Sequence, residues 1–489
     1  MNAITDLTHT STDSSVQDLI KTMESTIVSC HEKTLCLVDI CKAEAIITET
    51  CKQITDAIWQ SVLTLILDNK VFLNTLRLIA GRHAMRLVSY QTITVTLPTG
   101  TRCRVRSPFF IKARPRRGRK KKGPQNRGCH LALELLGFIG KTCGSLALRA
   151  IQLALIAPSF EVASKILKNE GIQMCPKLLR ALIVKFAPGA TDQRVERLIN
   201  EHHDKLEGRR VMILVDGGRL RQRKNKRGRI PEGRKRRGYH TDWIEPKLLQ
   251  IVVLDENGEP LKGYPPIVDG TTGKLPEFLR LLEQYLIRLK IHTCCQVTLC
   301  ADGAPWIWDR IPALLQKVGV DPSKIVEVID WTHAKQNLKK IFESIPKKKR
   351  KDSDVCFNDV KDLLYSVSID ELIEFIKEEF KLRTSSKAVK KLKSYFLRNK
   401  GRMQYQDFKN RRIPTGSGAI ESAIRRVINL RLKAPGSFWK LEFANDMIYL
   451  RAQLLYGRWE NLVKNRLKTL HQLFVDYHSN SLMKGVNPI

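Results

Sequence analysis

The spacing of apolar residues changes from helical to strand-like at about residue 209. Up to about residue 95, apolar positions recur every three to four residues, as in AIWQSVLTLILDNKVFLNTLRLIA, and then YQTITVTLPTGTRCRVRS alternates like a short hairpin. The helical period returns between about residues 130 and 200. There SFEVASKILKNEGIQMCPKLLRALI has the proportions of a helix-turn-helix, a pattern that small helical bundles share.

From about Arg209 the pattern predicts buried strands that alternate with amphipathic helices. RRVMILVDGGRL is a strand that ends at Asp216, and PKLLQIVVLDENGEPLKGYPPIVDG holds two more strands around the turn 255–258. After the helix KLPEFLRLLEQYLIRLKI, the strand CQVTLCADG ends at Asp302, and after another helix KIVEVIDWTH is a strand that ends at Asp330. This order predicts one α/β layer.

Strongly helical, charged sequence then interrupts the α/β pattern until TGSGAIES resumes it, and a further helix follows from about residue 440 to 456. These changes divide the chain into seven segments: a mostly helical N-terminal region of unassigned role, a basic linker, a helix-turn-helix-like DNA-binding domain, the first part of the α/β core, a helical insertion, the second part of the core and a C-terminal tail. Their bounds are 1–111, 112–128, 129–205, 206–333, 334–412, 413–460 and 461–489.

The net charge of the chain predicts the type of molecule that it binds. Lys and Arg number 85 against 49 Asp and Glu, a net charge of +36, which exceeds what solubility requires and predicts a polyanion, with nucleic acid as the leading candidate. The run KARPRRGRKKKGPQNRG cannot form a packed core and should follow a phosphate backbone. The candidate DNA-binding residues are Arg116, Arg117, Arg119, Lys120, Lys121, Lys122, Arg219, Arg221, Arg223, Arg425 and Arg426.

A second basic run, from Arg219 to Trp243, begins three residues after Asp216. It is either a solvated loop or a segment that follows the cleaved or target DNA strand. Trp306 and Trp308 follow Asp302 and are either packing residues or base-stacking residues.

Neither secretion nor membrane insertion is indicated, because no stretch reaches 18 uninterrupted apolar residues and the first residues lack the features of a signal peptide. We therefore expect an intracellular protein without a membrane partner. The twelve cysteines include no CxxC pair, which argues against a zinc ribbon or a redox motif. Cys30, Cys36, Cys41 and Cys51, with His31, fit either a metal cluster or an apolar helical stripe.

Three acids are the candidate chemistry. Asp216 and Asp302 each follow a predicted strand and precede a glycine, which is a turn signal but also the position where α/β sheets bind ligands. Glu421 lies in the first turn of a predicted helix, where it would converge with them, or would only complement the helix dipole and pair with Arg425. Carboxylates suit Mg²⁺ or Mn²⁺, and two such ions about 4 Å apart can drive a phosphodiester displacement. Next to bound metal, Arg425 and Arg426 would be free to reach phosphates.

This order of elements and acids resembles the ribonuclease H-like catalytic domain of DDE transposases that carry a helical insertion. The motif DWTH resembles the [C/D]xxH signature of Mutator-like elements and related bacterial insertion-sequence transposases. GSGAIESAIRRVINLRLK with DMIYLRA is similar to the Glu-bearing block of that group. The resemblance covers about residues 209–456. It implies an α/β fold with a ribonuclease H-like core, preceded by a mostly helical DNA-binding region.

The resemblance also implies roles for residues and partners. Asp216, Asp302 and Glu421 would be catalytic ligands of two Mg²⁺ or Mn²⁺ ions. Asp330 and His333 would be accessory residues close to the site that either orient DNA or support the fold, and His333 alone fits a hydrogen-bonded interior histidine equally well. The substrates would be double-stranded DNA with terminal inverted repeats and target DNA, bound by a homodimer or higher assembly in the bacterial cytoplasm at the nucleoid. The alternatives are a catalytically silent DNA-binding protein of transposase ancestry and a ribonuclease H-like nuclease that does not join strands.

Overall fold

The computed structural model describes residues 37–112, 128–188, 191–200, 203–230, 232–234 and 237–468, with scattered positions between 17 and 28. It divides into two compact units, one that ends at Phe186 and also takes in residues from Arg466 onward, and one from Ala187 to Asn465. Several sequence-based candidates lie outside the described residues: Cys30, His31, Cys36, the arm residues Arg116, Arg117, Arg119, Lys120, Lys121 and Lys122, and the tail beyond 468.

The first unit packs helices against a β-hairpin. Its strands β1 and β2 pair antiparallel, and both are longer than the hairpin that the sequence predicts. Leu76, Val95, Phe110 and Leu133 are among the residues of its apolar core. The elements are α1 (Leu37–Asp68), α2 (Lys70–Arg82), β1 (Met85–Thr96), β2 (Arg102–Lys112), β3 (Gly128–Cys129), α3 (Leu131–Leu135), α4 (Gly144–Ile156), α5 (Phe160–Asn169) and α6 (Pro176–Phe186).

The two helices of the helix-turn-helix-like segment form where the sequence predicts them. The side chain of Ser159 caps α5 by accepting a hydrogen bond from the Val162 amide at 3.1 Å. Gly171 ends the helix with a φ of +76°, a left-handed conformation that glycine adopts without steric cost. Pro176 then begins α6, where its missing N–H costs no hydrogen bond.

The second unit is built on a mixed five-stranded sheet, so the α/β fold class is confirmed. The strand order is β10-β9-β4-β7-β8, in which β4 is parallel to β9 and antiparallel to β7. The apolar residues of β4 and β7 are buried on both faces, as their uninterrupted apolar sequence predicts. The strands are β4 (Arg210–Gly217), β5 (Leu220–Asn225), β6 (Tyr239–Ile244), β7 (Lys247–Leu254), β8 (Ile267–Thr271), β9 (Gln296–Ala301) and β10 (Ile325–Ile329).

Helices lie between the strands of this sheet in the sequence and after its last strand. Strand β10 ends at Ile329, and Asp330 begins a helix instead of ending the strand, because its carboxylate caps that helix. The Tyr405 hydroxyl donates to the Ile329 carbonyl at 3.1 Å and so attaches the helical insertion to β10. The helices are α7 (Thr191–Leu198), α8 (Leu275–Arg288), α9 (Pro305–Lys317), α10 (Trp331–Glu343), α11 (Lys347–Lys351), α12 (Phe357–Ser366), α13 (Ile369–Glu379), α14 (Lys387–Tyr395), α15 (Tyr405–Asn410), α16 (Gly418–Ala423) and α17 (Leu441–Leu455).

The basic segment after β4 forms a two-stranded antiparallel ribbon, β5 and β6, which the sequence analysis did not predict. Its second strand, YHTDWI, contains the aromatic and β-branched residues that favour strands. The ribbon is also held from outside, because the Arg223 amide donates to the Trp439 carbonyl at 2.7 Å. Among the described residues, no helix is both long and apolar enough to cross a bilayer.

Helix α7 belongs to the second unit, which therefore begins before the expected boundary at residue 206. Arg194 on α7 forms a buried ion pair with Asp269 of β8 at 3.0 Å. The hydroxyl of Tyr285 donates to the second oxygen of Asp269 at 2.9 Å, and the Arg194 guanidinium lies 4.5 Å from the ring centroid of Tyr449. Because both charged partners are buried, loss of one leaves the other uncompensated.

We expect Arg194→Met to lower the free energy of unfolding by about 3–5 kcal/mol, because Asp269 would remain buried without its cation. Urea denaturation followed by circular dichroism measures this loss. The exposed neighbour Glu196 provides the control, since Glu196→Gln should change stability by less than about 0.5 kcal/mol. Equal stability of the two variants would contradict the assignment of α7 to the second unit.

Candidate active site

The two strand-end aspartates lie side by side at one edge of the sheet. Strands β4 and β9 are parallel with Leu214 opposite Cys300, and Asp216 and Asp302 each follow two residues later. Both carboxylates therefore extend from the carboxyl ends of neighbouring strands. The Asp302 side chain also accepts the Ala304 amide at 2.9 Å, which shapes the turn into α9.

Glu421 reaches the same edge from the first turn of α16. A Cβ added to Gly218 would lie 2.8 Å from the Ile428 side chain, so the second glycine of LVDGG lets the segment after α16 approach the end of β4 closely. That segment, Ile424–Asn429, is a π-helix instead of the continuous α-helix that the sequence predicts. Buried Arg451 explains the change in part, because its guanidinium donates to the carbonyls of Arg426 and Val427.

Each of the other predicted acids lies close enough to Asp216 for its charge to act on that residue. Burial raises the pKa of Asp216 to about 6, and the negative charges of Asp302 and Glu421 raise it as well. The Gly217 amide and the charge of His333 act in the opposite direction. His333 Nε2 lies 3.4 Å from Glu421 Oε1. The fold thus brings together all three predicted acids and His333.

Asp330 is a buried residue that positions the backbones of His333 and Glu421. The residue is fully buried, its amide donates to the Ala301 carbonyl at 2.9 Å, and its Oδ1 accepts the His333 amide at 2.7 Å. Its Oδ2 accepts the amide of Ser417, the residue that begins the helix of Glu421. Asp330 is therefore a positioning residue, which connects the end of β9 to the backbones that carry His333 and Glu421.

The loop after Asp302 is held by the helical insertion. A Cβ on Gly303 would lie 2.5 Å from the ring of Tyr395, so only glycine fits beside this α14 residue. Trp308 is buried, donates from Nε1 to the Asp302 carbonyl at 2.8 Å, and lies under the Arg402 guanidinium at 4.7 Å. These contacts favour the packing interpretation for Trp308.

The side chain of Glu245, a residue outside the predicted set, approaches the end of β4. A Cβ on Gly217 would lie 2.3 Å from Glu245 Oε1, so this carboxylate lies directly beside the residue that follows Asp216. Glu245 also forms an ion pair with Lys247 at 3.5 Å. Nothing in the local sequence indicates this position, because only the pairing of β4 with β7 brings the two segments together.

The candidate DNA-binding arginines of the second unit differ in their surroundings. Arg219 and Arg425 are exposed and follow Asp216 by three residues and Glu421 by four, and within the described residues Glu421 forms no ion pair with Arg425. Arg426 donates to the Leu455 carbonyl at 3.1 Å, so it also stabilises the fold. Arg221 and Arg223 lie on the ribbon β5–β6.

The donor set fits a hard divalent cation. Burial and two neighbouring negative charges disfavour the ionised form of Asp216, so a nearby positive charge would stabilise this carboxylate, and Mg²⁺ binds through one or two carboxylates together with substrate phosphates. In the described part of the chain, no three His, Cys, Asp or Glu side chains form a ready-made metal cage. Metal binding at these acids remains a prediction.

Comparisons with protein-family models and with curated proteins found no match for this chain. Its function is therefore inferred from the geometry of the site and from the motifs of its sequence.

We expect Asp330→Asn to lower the free energy of unfolding by about 1–3 kcal/mol, because an amide has one acceptor oxygen for two buried N–H donors. Asp321 is a matched control, since it caps the exposed turn Pro322–Lys324 through only one of its two carboxylate oxygens, Oδ1. Asp321→Asn should lose less than about 0.5 kcal/mol. Urea denaturation compares the two, and equal losses would argue against the positioning role of Asp330.

We expect Asp216→Asn to stabilise the metal-free protein at pH 8 by about 1–2 kcal/mol, a value reduced for partial exposure. A carboxyl whose pKa is higher in the folded state binds its proton more tightly there, so wild-type stability should fall as pH rises through about 4 to 6. The variant should lack this part of the pH dependence. Thermal unfolding in EDTA between pH 4 and 8 measures it.

Divalent metal should reverse the order of stability, so that wild type becomes more stable than Asp216→Asn. Mg²⁺ or Mn²⁺ should raise the melting temperature of wild type, because a ligand that binds only the folded state stabilises it, and should do so much less for Asp216→Asn. Asp309→Asn, a change of an exposed aspartate on α9, should respond like wild type. A metal response that is the same in all three proteins would contradict a metal site at Asp216.

Proposed function

We propose that the protein is a DNA transposase of the DDE type. It would hydrolyse a phosphodiester at the ends of its element to free a 3′-hydroxyl. That hydroxyl would then attack a phosphodiester of the target DNA, which joins the 3′ end of the element to the target and releases a 3′-hydroxyl on the target strand. The observation that carries the proposal is the convergence of Asp216, Asp302 and Glu421 at one sheet edge, although the first and the last lie 205 positions apart in the sequence. A structural role alone does not require three acids to cluster in this way.

The order of elements supports a ribonuclease H-like core. Strand β4 with Asp216 is followed by β7, which is antiparallel to it, and by β8, which is antiparallel to β7; then come β9 and β10, which run parallel to β4. The insertion α10–α15 then separates β10 from α16, which carries Glu421. This is the same order of acids and elements on which the resemblance to DDE transposases is based.

The roles of the residues follow from their positions. Asp216, Asp302 and Glu421 would hold Mg²⁺ or Mn²⁺, which in a two-metal site polarises the phosphate and stabilises both the attacking and the leaving oxygen. His333 would orient the Glu421 carboxylate through its Nε2, and Asp330 would hold both in place. Partial burial of Asp216 reduces the screening of its own charge by bulk water.

The charge of the chain supports a DNA substrate. The excess of 36 positive charges would hold double-stranded DNA by its phosphates, and exposed Arg219 and Arg425 lie near the acids where a phosphate would react. Because an element has two ends that are joined to one target, we propose that at least a homodimer assembles on DNA.

We expect Asp302→Asn to retain DNA binding and to lose cleavage by more than about 100-fold, because it removes a metal ligand but leaves the basic surface intact. The assay incubates full-length protein with Mg²⁺ or Mn²⁺ and DNA that carries the sequences flanking its own reading frame. The control is Asp309→Asn, which changes an exposed aspartate on the adjacent helix α9 and should cleave like wild type.

Three outcomes would change the proposal. Tight, salt-sensitive binding by wild type without any metal-dependent nick would leave a DNA-binding protein. Nicking without joined DNA products would leave a nuclease. Cleavage that persists in Asp302→Asn would contradict the assignment of the three acids.

A further inference from the structure

The ribbon β5–β6 carries a cationic cavity outside the acid cluster. The cavity has a volume of about 540 Å³ and is lined by Arg223, Lys226, Arg234, Arg237, Asn225 and Tyr239. Four of these side chains are cations, and all four are exposed. A space of this size with this charge fits a polyanion segment better than a single small ion.

The charge of the cavity is not neutralised by the protein. Lys224 on the same strand pairs with Asp242 across the ribbon. Within the described residues, Arg223, Lys226, Arg234 and Arg237 have no carboxylate partner. Four cations held together on one ribbon repel one another, and bound phosphates would relieve that repulsion.

Two aromatic rings lie beside arginines on the same ribbon. The Arg221 guanidinium lies 4.8 Å from the Trp243 ring centroid, and the Arg223 guanidinium lies 4.3 Å from that of Tyr239. Trp243 nevertheless remains 54% exposed and Tyr239 38% exposed. Bases in a duplex already stack on their neighbours, so exposed rings beside phosphate-binding cations favour unpaired nucleotides.

The ribbon is fixed beside the acid cluster. Strand β5 begins at Leu220, four residues after Asp216, and six strand residues extend on the order of 20 Å, the span of several nucleotides. Backbone hydrogen bonds of 2.7 and 3.0 Å join Arg223 and Arg221 to Trp439, in the segment that follows the helix of Glu421. Trp439 is itself buried and donates to the Leu432 carbonyl at 2.8 Å.

We propose that the ribbon β5–β6 binds an unpaired DNA strand of several nucleotides, with phosphates at Arg223, Lys226, Arg234 and Arg237 and bases stacked on Trp243 and Tyr239. This inference rests on the proposed function, because it specifies the strand that separates from the duplex next to the cleaved bond. The ribbon would hold that strand apart while the acid cluster acts on the duplex end.

The test measures binding without cleavage. Full-length protein in EDTA is titrated against fluorescein-labelled dT10 and against a 20-base-pair duplex, with fluorescence anisotropy as the readout. Trp243→Ala and Tyr239→Ala should each weaken dT10 binding about tenfold and change duplex binding less than about twofold, because only unpaired bases stack on these rings. Trp59→Ala, which removes another exposed tryptophan from α1, should change neither.

The cations provide a second readout. The binding constant K for dT10 falls as salt rises. Replacing both Arg234 and Arg237 by Gln should make the slope of log K against log salt less steep, by about 0.7 for each phosphate that the variant no longer binds. When 5-iodouracil replaces a thymine of dT10, irradiation should crosslink the oligonucleotide to peptides that contain Tyr239 or Trp243.

Several outcomes would overturn the inference: unchanged dT10 binding in both aromatic variants, equal losses for dT10 and duplex, or about tenfold tighter binding of a ribo-oligomer of the same length. Its failure is distinct from failure of the proposed function. Wild type that nicks duplex DNA but binds dT10 independently of Trp243 and Tyr239 would refute the ribbon site alone. Ribbon-dependent dT10 binding without metal-dependent nicking would refute the transposase alone.

Discussion

The carboxylate of Asp330 is the group on which the geometry of the candidate site depends. It accepts backbone amides from two segments that are far apart in sequence, those of His333 and Ser417, while its own amide is bound to Ala301 at the end of β9. A second backbone bond, from Trp331 to the Thr415 carbonyl at 2.9 Å, strengthens the same junction. A buried, fully satisfied carboxylate has little freedom to move, so the helix of Glu421 is held in register with the sheet.

The fold holds Asp216 close to two other acids although their negative charges repel one another. Burial raises the pKa of Asp216, and the negative charges of Asp302 and Glu421 raise it further, so the metal-free fold would be more stable with this carboxyl group uncharged. Such local cost is typical of sites that bind a cation or a reacting group. The surrounding excess of Lys and Arg acts at longer range and attracts phosphates, so it complements the acids without neutralising them at contact distance.

Two close approaches explain why glycines follow both aspartates. Gly218 admits the segment after Glu421, and Gly303 admits the Tyr395 ring from the helical insertion. The insertion thus touches the loop of Asp302 and is joined to β10 through Tyr405. The ribbon after β4 is joined in turn to the segment that follows Glu421. Both additions are therefore attached to segments that neighbour the acids in the sequence.

The amino-acid sequence by itself determined the α/β class and the order of the five sheet strands and their helices, and it predicted three acids, because buried strands and amphipathic helices have different apolar periods and strand ends are marked by Asp-Gly. It did not reveal Glu245 beside Gly217, the capping role of Asp330, the π-helix supported by Arg451 or the ribbon β5–β6. Those features arise from hydrogen bonds and contacts between segments distant in sequence. No local pattern encodes such pairings, so only the tertiary structure decided them.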